Sequence, residues 1–148
     1  LNVNDAGISV VTTVTNRRFS ITEQVILEVP QIDDHPGVPT ELPLYKTKEI
    51  VDRMGYEGVF PPTIKKLLPP YWRCLVHVFI SCISGRRSGA DEVSLHNTGA
   101  IVALVVGLDF NFSRFILNDM VGNIEGKGRD KFLMFPRFLQ MIFNKKYP

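Results

Sequence analysis

The residues of this chain best suited to chemistry fall in one short stretch, Cys74-x2-His77-x4-Cys82, with His96 as a conceivable fourth donor. Thiolate and imidazole groups at such intervals suggest zinc. A structural zinc site, however, takes its donors from turns, so that four of them converge on one ion. Here Cys74, His77 and Cys82 stand in an apolar block, Cys74-Leu-Val-His-Val-Phe-Ile-Ser-Cys-Ile83, which reads as part of a single helix. At about 1.5 Å of rise per residue, positions 74 and 82 lie roughly 12 Å apart. That separation defeats both a shared ion and a disulfide between them. The expectation is a core helix carrying two buried, reduced thiols and a hydrogen-bonded histidine.

Other candidates fail on similar grounds. Asp33-Asp34 suggests the paired aspartates of a polymerase, but two-metal chemistry needs a further carboxylate and a strand hairpin to hold it. This pair stands between Pro30 and Pro36 and reads as a solvated turn. Gly122-Asn-Ile-Glu-Gly-Lys-Gly128 lacks the spacing and the Ser or Thr of a phosphate-binding loop. Asn111-Phe-Ser113 has the form of a glycosylation sequon, which matters only in a secreted chain. No Ser or Cys has an activating neighbour, and the three histidines, His35, His77 and His96, are scattered. These readings point to a non-catalytic protein with no metal, cofactor or small-molecule substrate. The remaining candidates are cationic: Arg86 and Arg87 in one loop, and Lys127, Arg129 and Lys131 in another. Loops that share a face could contact nucleic-acid phosphates electrostatically; otherwise the charges keep loop tips soluble.

The elements that must position these groups follow from pattern. The chain has 148 residues, 45% hydrophobic and 22% charged, which suits about one globular domain. Its 17 basic and 15 acidic residues leave a net charge of +2, small for a dedicated nucleic-acid-binding domain. The longest apolar runs, 75–83 and 100–108, are too short to span a bilayer. Residues 8–21 are rich in β-branched side chains around Asn16-Arg17 and predict a β-hairpin. Between 22 and 67 the pattern predicts short helices and a Pro-rich connector. One helix starts at Thr22 and stops before Pro30, and another runs from Lys46 to Met54 and ends at Gly55.

From 68 to 144 the chain predicts an apolar helical core. Pro69-Pro70 opens a central helix to Ile83, apolar on nearly every side and therefore expected at the centre of the core. A second helix covers about 91–106 and closes at Gly107. A third starts near Asn111, and a last one contains Phe132 to Phe143, with Pro136 kinking it or marking its start. The expected fold is mainly α: a single domain of five to six helices behind a small N-terminal β-hairpin.

Several segments, taken in order, carry a family likeness: Arg17-Arg-Phe-Ser-Ile-Thr-Glu-Gln24, Ile32-Asp-Asp-His-Pro-Gly-Val-Pro39, Glu49-Ile-Val-Asp-Arg-Met-Gly-Tyr-Glu57, Leu68-Pro-Pro-Tyr-Trp-Arg-Cys-Leu-Val-His77, Gly107-Leu-Asp-Phe-Asn-Phe-Ser-Arg-Phe-Ile116 and Lys131-Phe-Leu-Met-Phe-Pro-Arg-Phe-Leu-Gln140. The succession resembles the gag-like N-terminal region of plant LTR-retrotransposon polyproteins and the related putative plant transposon proteins and Athila-type reading frames. It covers about residues 14–144. The resemblance implies a structural or assembly role inside the cell, with self-association as the main partnership. RNA or DNA of the element would be a second partner, without the zinc knuckle usual in a gag. It also implies that this chain is a fragment of a longer polyprotein whose enzymes lie elsewhere.

Overall fold

The computed structural model describes residues 2–4, 9–14, 16–29, 39–85, 91–126 and 133–147. It is mainly α, with a small antiparallel sheet at the N-terminus. The chain falls into two compact units, one formed by residues 1–34 with 111–148 and the other by residues 35–110.

In the first unit, β2 (Ser9–Val14) pairs with β3 (Arg17–Thr22) in the register Val10↔Ile21 and Val14↔Arg17. The hairpin connection is therefore 15–16, and Arg17 belongs to the strand, one residue away from the expected Asn16-Arg17 turn. Asn16 takes the left-handed conformation at φ +63, which its short polar side chain tolerates better than arginine's would. A further strand, β1 (Asn2–Asn4), pairs with β2, so the sheet has three strands in the order β1-β2-β3. Its two asparagines are poor strand formers, which hid it from the sequence pattern. Both Val10 and its neighbour Val11 are buried, as expected of a central strand with side chains leaving on alternate faces.

Three helices complete this unit. Thr22 caps α1 (Glu23–Glu28), its hydroxyl accepting the Val25 N–H at 3.3 Å. Asn111 caps α5 (Phe112–Glu125) by accepting the Arg114 N–H at 3.0 Å. The α5 helix buries Phe115, Ile116, Leu117 and Met120, a stripe at helical spacing, and packs on α1, β1 and β2. Pro136 opens α6 (Pro136–Lys146), confirming it as a start and not a kink. Phe135 before it is buried at a left-handed φ of +49, and its ring stacks on Phe138 at 6.0 Å. Lys145 and Lys146 in the last turn oppose the negative end of the helix dipole.

In the second unit, α2 (Leu44–Arg53) buries Thr47 and Val51 and packs against α4 (Leu95–Val106). A two-residue ribbon joins β4 (Thr63–Ile64) to β5 (Glu92–Val93), so the expected helix at 91 begins instead with a strand. The Thr98 hydroxyl donates to Ser94 O at 2.8 Å, so the Thr63 hydroxyl donates to Thr98 Oγ1 at 3.1 Å and ties β4 to α4. A 3₁₀ turn at Lys65–Leu67 leads into α3 (Pro70–His77), which continues as a π-helical stretch over Val78–Ile83. Gly107 ends α4 at φ +73, with both Gly107 and Leu108 N–H groups donating to Ala103 O.

The central helix departs from expectation. Only Val76, Phe79 and Ile80 along 70–83 are buried apolar residues, whereas Tyr71, Leu75 and Val78 are exposed. The helix lies at the surface and is not the centre of the core. A 76-residue unit (110 − 35 + 1) supplies one packing layer for it, so only one stripe is covered.

Candidate functional site

The outward side of α3 has two stripes, separated by the helical repeat. Tyr71, Leu75 and Val78 follow at i, i+4 and i+7, one line along the helix. Tyr71 is 69% exposed, and its ring meets that of Trp72 edge-on at 5.1 Å and 83°. Pro70, Arg73, Cys74 and His77 follow at i, i+3, i+4 and i+7 and form the second line. With Lys65 they line an open cavity of about 330 Å³.

The 3₁₀ turn folds Lys65 back onto α3. Its backbone N–H donates to Asp91 O at 2.7 Å, which fixes the start of the turn to the β4–β5 ribbon. Its Nζ lies 3.2 Å from His77 Nδ1. An ammonium group can only donate, so Nδ1 accepts and the imidazole proton resides on Nε2. Arg73 Nη2 donates to two carbonyls, Lys66 O at 3.1 Å and Leu68 O at 3.0 Å, holding the guanidinium over the turn. Its Nε and Nη1 have no partner among the described residues. Asp91 and Glu92 stand on or beside the adjoining strand, yet neither makes an ion pair with Lys65, Lys66 or Arg73. The cations of this cavity are thus left without a neutralising carboxylate among the described residues.

The cysteines correct the sequence reading. Cys74 and Cys82 are free thiols, and both are exposed, because the buried stripe of the helix runs through Val76, Phe79 and Ile80 on its other side. Among the described residues, no group of three His, Cys, Asp or Glu side chains is placed to hold a metal ion. His96 lies on α4, half-buried. The proposed basic contacts Arg86, Arg87, Lys127, Arg129 and Lys131 lie outside the described residues, as do Asp33, Asp34 and His35. Sequence reasoning passed over the Lys65–Arg73–His77 group. Its signal was available in the i, i+4 pair Arg73/His77, but Lys65 joins them only through a turn that carries no periodicity.

A further apolar surface ends α4, where Leu104, Val105 and Val106 are exposed. Among the described residues no helix is long and apolar enough to cross a membrane. Comparison with protein-family models, curated proteins and solved structures finds no match to this chain.

Proposed function

We propose that this chain is a non-catalytic assembly domain of a plant retrotransposon-derived protein, gag-like in role and intracellular, that associates with copies of itself. The observation that carries this reading is the exposed stripe of Tyr71 and Leu75 on α3 with Val78 at the start of its π-helical continuation. A helix whose only task is to cover a core presents polar residues outward. Apolar side chains in line on an outer face gain free energy when a second surface removes them from water, at about 25 cal/mol per Å² buried. A second copy offers the same stripe, and two-fold pairing of identical surfaces is the commonest closed association. The ordered sequence resemblance supports the element-derived assignment independently of the surface.

Sedimentation velocity over roughly 10–500 µM, the range where weak self-association shows, tests this reading. The native chain should shift to larger species as concentration rises. A Leu75→Lys, Val78→Lys double variant with unchanged circular dichroism should remain monomeric. A native chain that is monomeric throughout, or a double variant that associates like the native chain, refutes the assembly role.

A further inference from the structure

We propose that the cavity lined by Lys65, Pro70, Arg73, Cys74 and His77 is a binding site for a phosphate group. The donors set the ligand class. Lys65 brings an ammonium, Arg73 a guanidinium with Nε and Nη1 unused, and His77 an Nε2–H, while Nδ1 is already committed to Lys65. All are donors and two carry full positive charge. A carboxylate has one charge and two coplanar oxygens that suit a bidentate guanidinium edge, and both such edges of Arg73 include Nη2, which the two carbonyls already occupy. A tetrahedral phosphate has oxygens in several directions and up to two charges, and it uses donors arriving from both the turn and the helix.

The cluster is also built for its position. Arg73 is held by two carbonyls of the preceding turn, and the Lys65 backbone is held by Asp91 O. Part of the ordering cost of binding is therefore met before a ligand arrives. No ion pair among the described residues has to be broken first. The phosphate has two sources consistent with this chemistry, a small free phosphate or the backbone of a single-stranded nucleic acid.

The test is titration of the isotope-labelled full chain with inorganic phosphate at fixed ionic strength, followed by NMR. Resonances of Lys65, Arg73 and His77 should shift saturably with phosphate and stay in place with an equal ionic strength of chloride. Lys65→Gln and Arg73→Gln should each weaken binding about tenfold, the loss of one charge-assisted hydrogen bond at an exposed site. Lys145→Gln, on an exposed residue of α6, should leave binding unchanged. Phosphate should also slow alkylation of Cys74 by iodoacetamide and spare Cys82, which lies outside the cavity. A single-stranded RNA decamer that shifts the same resonances at lower concentration identifies the source as a nucleic-acid backbone; one no tighter than inorganic phosphate identifies a free phosphate. Shifts equal in chloride, or unchanged by both Gln variants, overturn the site.

Discussion

Replacing Tyr56 by Phe removes one oxygen from a loop that depends on it. Tyr56 is buried, just beyond Gly55, whose φ of +88 turns the chain out of α2. Its hydroxyl accepts the Ile64 N–H at 2.9 Å and lies 3.2 Å from Pro62 O and 3.3 Å from Val59 O. Its single proton serves one of those carbonyls at a time. Tyr56→Phe leaves the Ile64 N–H without its acceptor, and a buried unsatisfied group costs about 1–3 kcal/mol. Ile64 is only half-buried and the carbonyls can take up water, so the lower part of that range applies, about 1–2 kcal/mol. Native-state hydrogen exchange reads this locally: the Ile64 amide should exchange about 5- to 30-fold faster, while amides of α5 remain as they were. Tyr71→Phe serves as the control, because that hydroxyl is exposed and has no partner among the described residues; it should change stability by less than about 0.5 kcal/mol. An Ile64 amide that exchanges at the native rate in Tyr56→Phe would show that the hydroxyl does not hold β4. Lys65, the next residue, would then not owe its position beside α3 to Tyr56.

Two further perturbations probe the first unit, with a comparison substitution in the second. Asn111→Ala deletes the cap of α5 and the 3.0 Å hydrogen bond from Asn111 Nδ2 to Glu23 Oε1, and it should cost about 1–2 kcal/mol in urea denaturation; a loss below about 0.3 kcal/mol would contradict the capping role. Leu117→Ala, at a fully buried position on α5, should cost about 2–5 kcal/mol, whereas Leu104→Ala at the exposed end of α4 should cost far less. Equal losses at both positions would contradict the burial assigned to them.

Features set by neighbours in the chain were legible in the sequence. Thr22 and Glu23 announce α1 and Gly107 ends α4, because capping and a left-handed φ are local chemistry; Pro136 marked a kink or a start, and the structure makes it the start of α6. The β2–β3 hairpin was legible for the same reason, although its turn moved by one residue to put Asn16 at positive φ. The candidate site was far less legible. Periodicity places Arg73 and His77 on one line of a helix, but it does not say that a 3₁₀ turn brings Lys65 beside them. Nor does it say which side of an all-round apolar helix lacks a cover, since that depends on how many elements the unit can supply.

The uneven exposure of α3 explains why its composition misled. Counted as a string, residues 70–83 are a core helix; placed in its unit, the segment has three sides with different work. Val76, Phe79 and Ile80 face inward and hold it down. Tyr71, Leu75 and Val78 form an outward apolar line, and Arg73 and His77 stand with Lys65 on an outward cationic one. Core packing accounts for the first set alone. The part of an outer apolar line left exposed adds nothing to the fold of its own unit and lowers solubility. Cations left without carboxylates likewise add no ion-pair stability. Residues that are unfavourable or neutral for folding, lying side by side along one helical segment, are what an interaction surface leaves in a sequence, and that is the ground on which we propose α3 as a contact face.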